Sequence, residues 1–310
     1  MQKTGEFTMK KTIVLFLTLL LTSGCTVTAS PTEDRAGVPI ELPDRIETII
    51  SLAPSTTRVL TDLGLQEKLI AVDTYSAGYQ PELASLPEFD MMTPDVEKLA
   101  EMEPDVIFIT GMSLSGGSNP YQALIDLGIP VVGIPTSNSI EAIREDVLFI
   151  GERVGETDGA QALVDEMQAE IDEIAAIGAT IEDKKTVAVE VSALPQLCYA
   201  GGDTYINEMI EIIGAENAYG ESDPWASITE EAAVDTNPDV ILTCISYLPD
   251  PVGEILSRKG WENVTAISDK AVFRLDEESV NQPNHHITKA LREMAEAVYP
   301  EKYASVKSAA

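Results

Sequence analysis

The chain has 310 residues, of which 52 are Asp or Glu and 20 are Lys or Arg, for a formal charge of −32 at neutral pH. Such a surface repels phosphate backbones and anionic headgroups alike, which excludes nucleic acid as a partner; beyond solubility, its expected use is against a basic docking surface on another protein. Three cysteines are too few for a disulfide framework.

Taken in chain order, Lys10 and Lys11 precede an apolar run over 13–21, and Thr22-Ser23-Gly24-Cys25 follow. This is the pattern of a cleaved export signal, since a membrane span needs about 20 apolar residues. The four-residue motif resembles the bacterial lipoprotein box, with Thr22 where leucine is commoner. That resemblance implies cleavage before Cys25, which would then carry lipid on the outer face of the cytoplasmic membrane or in the periplasm. The alternative is an ordinary secretory signal with Cys25 as a bystander. Residues 1–24 are therefore read as signal and 25–45, rich in Thr, Pro, Asp, Glu and Gly, as a lipidated flexible tether.

From residue 46, short β-branched runs predict strands over 48–52, 69–72, 106–110 and 131–134, with helices over 56–63, 95–101 and 121–127 between them. Such alternation implies parallel strands with crossover helices, hence an α/β lobe over 46–138. No strand interrupts 139–181. Ile143, Val147, Ile150 and Val154, then Ala162, Met167, Ile171 and Ile174, recur at helical spacing, with Gly155 to Gly159 placed to break or kink the run. The stretch reads as a helical connector. Over 182–310 the alternation resumes, with strands over 186–191, 240–243 and 271–274 and helices over 205–213 and 287–298. A local repeat links the halves: Glu97 stands seven residues before Pro104-Asp105-Val106-Ile107, and Glu231 seven before Pro238-Asp239-Val240-Ile241. Turn chemistry alone could place a Pro-Asp pair at two unrelated junctions; the matched glutamates argue for a repeat.

Several segments together carry a resemblance. Strand 49–52 runs into Ala53-Pro54-Ser55-Thr56-Thr57; the paired Glu and Pro-Asp-Val-Ile segments follow; then come Lys259-Gly260-Trp261, Ala266-Ile267, Asp269-Lys270-Ala271-Val272 and Val298-Tyr299-Pro300-Glu301. In this order the chain after residue 45 resembles the extracytoplasmic binding proteins of ABC importers that handle iron-siderophores, haem and cobalamin. The resemblance implies two Rossmann-like α/β lobes joined by a long rigid connecting helix, with a pre-formed ligand cleft between them, in a protein that works as a monomer. It implies that a Glu on each lobe engages arginines of an ABC permease driven by a cytoplasmic ATPase, and Glu97 and Glu231 hold the matching positions. It also implies a metal chelate as ligand, an iron complex, haem or a corrinoid, with no cofactor of the protein's own.

Ligands of α/β lobes sit beyond the carboxyl ends of strands. The candidate cleft residues are accordingly Pro54 and Ser55 after the first strand, Tyr75 and Tyr79 after the second, and Tyr199 after the first strand of the second lobe. Tyr75 matches a family position whose ring touches ligand, and Trp225, in a polar Asp-Pro-Trp-Ala loop, matches a stacking residue of the cobalamin-binding branch. Gln282, His285 and His286 stand in the last loop, where the family often has arginine and this chain has none. For the histidines, metal ligation, hydrogen bonding to ligand amides and a structural role at the following helix stay open, although Asn284 can cap that helix unaided. Two rivals remain. A carrier of bare Zn²⁺ or Mn²⁺ would need three or four converging His and carboxylate ligands. A chelatase-like enzyme could share the bilobed fold, but the sequence holds no phosphate loop, nucleophile elbow or His-Glu-x-x-His helix, so no catalytic residue is assigned.

Overall fold

The computed structural model describes residues 32–304 apart from 116 and 118. Cys25 and the export signal lie outside the described residues. The first described elements are β1 (Thr32–Glu33) and β2 (Pro39–Ile40), an antiparallel pair. This segment corrects the tether as expected over 25–45: from residue 32 it is docked on the first lobe. Asp34 is buried and accepts hydrogen bonds from the amides of Ala36, Val38 and Gly133, at 2.9, 2.8 and 3.0 Å, while Arg35 pairs with Asp146 at 2.6 Å. Ile40 and Ile46 enter the apolar core.

The N-terminal lobe contains β3 (Ile49–Leu52), α1 (Pro54–Asp62), β4 (Leu69–Asp73), α2 (Ser76–Tyr79), β5 (Glu88–Phe89), α3 (Val96–Glu101), β6 (Val106–Thr110), α4 (Gln122–Asp126) and β7 (Val131–Ile134). Its sheet has the order β5-β4-β3-β6-β7 and every pairing is parallel. Both faces are covered, so the strands read as continuous apolar runs. Val106 and Phe108 face one core, and Ile107 and Ile109 face the other.

Two helices follow, α5 (Ile140–Val154) and α6 (Thr157–Gly178). The connector expected as one element over 139–181 therefore reverses in the middle. Gly155 closes α5 with φ +80°, a left-handed conformation that glycine adopts freely, and the chain turns back. A β-carbon at Gly151 would stand 2.2 Å from that of Ala160, so the two helices touch where only glycine fits. Both helices bridge the lobes: in α5, Ile143 packs into the C-terminal core and Val147, Ile150 and Val154 into the N-terminal core, while in α6, Ala160 and Val164 pack into the N-terminal core and Met167, Ile171 and Ile174 into the C-terminal core. At 1.5 Å per residue the 22 residues of α6 span about 33 Å.

The C-terminal lobe contains β8 (Thr186–Ser192), β9 (Cys198–Ala200), α7 (Tyr205–Ile212), β10 (Glu216–Asn217), β11 (Trp225–Ser227), α8 (Glu230–Thr236), β12 (Val240–Thr243), α9 (Pro251–Leu256), α10 (Thr265–Ser268), β13 (Val272–Arg274), α11 (Glu277–Asn281), α12 (Ile287–Val298) and α13 (Pro300–Tyr303). Strands β8, β12 and β13 run parallel, whereas β9 and β11 are antiparallel additions at one edge. No helix among the described residues is long and apolar enough to cross a membrane.

The local repeat is now physical. Asp105 accepts hydrogen bonds from the Glu47 and Thr48 amides at 2.7 and 2.9 Å, and donates its own amide to the Thr48 carbonyl. Asp239 accepts from the Thr186 amide and hydroxyl at 2.8 and 2.9 Å, and donates to the Thr186 carbonyl. The residue before each Pro-Asp pair, Glu103 or Asn237, has φ +49°. Each lobe thus uses one device to clamp a helix-to-strand turn onto the start of its central strand.

Candidate functional site

A cavity of about 620 Å³ lies between the lobes. From the N-terminal lobe it is lined at the carboxyl ends of all five strands: Pro54 and Ser55 after β3, Tyr75 and Tyr79 after β4, Asp90 to Met92 after β5, Thr110 and Met112 at β6, and Pro135 and Thr136 after β7. This is where a parallel sheet leaves loops free to meet a ligand. The other lobe contributes Tyr205, Trp225 and Asn281 to Pro283.

Two aromatic side chains stand out in the open part of this cleft, Tyr75 at 56% exposure and Trp225 at 49%. The first is set by Asp73, buried at the end of β4, whose carboxylate accepts from the amides of Tyr75 and Ser76 at 2.8 and 3.0 Å and from the Ser76 hydroxyl. Trp225 begins the edge strand β11, paired with Ala200 of β9. Met92 and Met112, both exposed, line the same cavity. Apolar surface left open to water in this way marks a recognition site, and thioethers adapt their shape to what they cover. Tyr79 sits deeper; burial and the neighbouring Glu277 carboxylate push its phenol up to about 12, against a hydrogen bond from Gln282. It is therefore a neutral hydroxyl at physiological pH. Among the described residues lining the cavity, Asp90 is the only one with a formal charge.

The cleft thus gathers Pro54, Ser55, Tyr75, Tyr79, Trp225 and Gln282 from the sequence reading. It does not gather Tyr199, His285 or His286. Tyr199 is buried on β9, stacked on Tyr219 at 4.6 Å, and donates from its hydroxyl to Glu190 at 2.9 Å. A short turn over 193–197 leads from β8 into the returning strand β9, and strand alternation turns this ring into the core. His285 and His286 point elsewhere because the chain turns after Pro283. Asn284 Oδ1 accepts the His286 amide at 2.8 Å, and both imidazoles reach Asp62 at the far end of α1, roughly 12 Å from its cleft end. Trp261, the other tryptophan, is buried, and its indole donates to Glu230 at 3.1 Å.

Sequence reasoning missed Met91, Met92, Met112 and Tyr205. The methionines follow strand ends, which was a usable signal for two loops. Tyr205 opens a helix, and its hydroxyl, donating to the Val280 carbonyl at 2.6 Å, ties α7 to the loop carrying Gln282.

Glu97 and Glu231 are both exposed and both occupy the second position of a short helix, α3 or α8, capped by Asp95 or Thr229. A carboxylate there is favoured by the helix dipole whatever else it does.

A family model described as "Periplasmic binding protein" matches residues 49–279. The uncharacterised ABC transporter substrate-binding lipoprotein YvrC of Bacillus subtilis is 29% identical over 273 residues, covering 87% of this chain and 86% of its own. The molybdate-binding protein MolA of Haemophilus influenzae is 27% identical over 301 residues, 86% of this chain and 84% of its own. The solved structure of MolA bound to molybdate superposes with a TM-score of 0.77 at 22% identity, over 90% of this chain and 94% of that one. A vitamin B12-binding protein of Yersinia pestis is 27% identical over 201 residues, 63% of this chain and 69% of its own.

Proposed function

This chain belongs to the periplasmic binding protein family and is a substrate-binding protein of an ABC transporter, and we propose that its cargo is a bulky metal chelate without net negative charge, a corrinoid above all, gripped between Tyr75 and Trp225. The observation that carries this reading is the character of the cleft. Exposed aromatic rings from opposite lobes line one cavity together with exposed methionines, and no Lys, Arg or His is among the described residues that line it.

A planar macrocycle offers two apolar faces for such rings and a rim of amides for Ser55, Thr110, Thr136, Asn281 and Gln282. A molybdate dianion, a catecholate complex or the propionates of haem would instead lose hydration facing Asp90 with no cation to pair with. Iron carried by a cationic hydroxamate is the second reading that the same chemistry supports. The family's relatives are solute-binding proteins and not enzymes, in keeping with capture outside the cytoplasm and delivery to a permease. Lipid on Cys25 would hold the protein beside that permease. Glu97 and Glu231 would then meet arginines on it, one contact per lobe.

Quenching of tryptophan fluorescence by cyanocobalamin, haemin, ferrioxamine and molybdate, read in parallel, tests the assignment. Cyanocobalamin should bind most tightly, and Trp225→Ala or Tyr75→Ala, followed by calorimetry, should each weaken it by about tenfold or more. Tight binding of molybdate with none of cyanocobalamin or ferrioxamine would sink the reading.

A further inference from the structure

Away from the cleft, metal-ligating side chains of both lobes converge. Asp62, the last residue of α1, holds Oδ2 2.9 Å from His285 Nε2 and 2.7 Å from His286 Nε2. The two rings stand edge to face with centroids 4.6 Å apart. One ligand atom from each of the three lies within 4.8 Å of the other two, while tetrahedral coordination at zinc-like bond lengths needs roughly 3.3 Å between ligand atoms. Small side-chain rotations close that difference.

The protein's own hydrogen bonds do not use all that this cluster offers. With Nε2 of His285 directed at the carboxylate, its Nδ1 is buried and has no partner, and the whole residue is 9% exposed. Burial pushes His285 below the ordinary imidazole range despite the Asp62 hydrogen bond.

A second cavity, of about 710 Å³, opens beside the cluster between α6 and α12. Glu166, Glu170, Glu293 and Glu296 line it against Lys289 and Arg292, and the latter two are spoken for: Lys289 pairs with Asp276 at 3.1 Å and Arg292 with Glu170 at 2.6 Å. The local field favours a cation, and the cavity has room for water at the coordination positions the protein does not fill.

The geometry points to a site for a divalent transition metal of the zinc class, held by Asp62, His285 and His286, that latches the two lobes together as a structural ion and not as cargo. Two imidazoles with one carboxylate form a donor set suited to such ions. The latch bears on the cleft because each element that holds it also lines the cleft: α1 through Pro54 and Ser55, and the loop before α12 through Gln282 and Pro283. None of the three ligands lines the cargo cavity itself.

The test uses the full chain without a polyhistidine tag, stripped with a chelator, in the absence of any cargo, so its outcome is independent of the cargo assignment. Titration with ZnCl₂ by calorimetry should show one equivalent bound, thermal melting should shift upward with zinc, and Co²⁺ should give visible bands of nitrogen and oxygen coordination. His286→Ala removes a partly exposed ring, and Asp62→Asn keeps a hydrogen-bond acceptor, so both variants should show unchanged circular dichroism and lose affinity by at least about tenfold. Absence of stoichiometric zinc binding, several weak equivalents only, or the same affinity in both variants would overturn the site.

Discussion

Counting four residues from the clamped threonine of each lobe, the N-terminal central strand carries Leu52, packed in the core, and the C-terminal one carries Glu190, with no exposed surface. Arg258 meets that carboxylate with two bonds of 2.7 Å and also reaches Glu254, and the Tyr199 hydroxyl donates to it. Burial works against the guanidinium, but these carboxylates outweigh it and raise the affinity of Arg258 for its proton. The difference separates two ways of ending a central strand. The N-terminal lobe keeps a plain apolar core and opens five strand ends to the cleft. Its counterpart fills the same register with a polar network and the antiparallel strands β9 and β11, and brings a narrower set of side chains to the cargo.

The exposed glutamates are where the lobes should behave alike. Glu97→Ala with Glu231→Ala is expected to abolish uptake in cells, since each truncated charged contact at an interface costs about 2–5 kcal/mol. Cargo affinity and melting temperature should stay at wild-type values, and the two single variants should impair uptake equally; normal uptake by the double variant would remove the docking role. The strand ends are where the lobes should differ. Glu190→Ala leaves Arg258 buried with half its partners, for a loss of about 3–5 kcal/mol in urea denaturation. Glu190→Leu with Arg258→Met, which imitates the Leu52 side, should lose far less. Equal losses would mean that the network does more than compensate its own burial.

The smallest effect belongs to the shared clamp. Asp105→Ala and Asp239→Ala should each cost about 1–2 kcal/mol, as expected for charge-assisted bonds near the surface. The Glu47 and Thr48 amides hold the Asp105 carboxyl below its ordinary range. Its stabilisation is therefore complete above the unfolded value of about 4 and is lost as pH falls below that value. Melting followed from pH 6 down to pH 2 should show a shallower acid decline in Asp105→Asn than in the parent.

Much of the architecture was legible because apolar periodicity reports burial directly. The predicted strands over 106–110, 131–134 and 240–243 are β6, β7 and β12, and the helix over 287–298 is α12. The repeat at Pro104-Asp105 and Pro238-Asp239 was readable because a clamp made by the residues flanking one turn leaves a short, fixed spacing. Strands β9 and β11 were not readable: three residues carry no period, and β9 exists by pairing with β8 while β11 exists by pairing with β9. The docking of 32–45 was hidden for a related reason, since its anchor is the buried contact of Asp34 with Gly133, 99 residues away.

The sequence by itself determined two α/β lobes, a helical connector, the strand-end loops from which Pro54, Ser55 and Tyr75 reach the cleft, and the absence of positive charge from the loop holding Gln282. Only the tertiary structure decided that Trp225 joins Tyr75 in one cavity, that Tyr199 turns inward to Glu190, and that His285 and His286 leave the cleft for Asp62, 223 and 224 residues distant. Spacing along a chain fixes which side chains share a face of one element. Which faces meet is set by how the elements pack, and no local pattern records it.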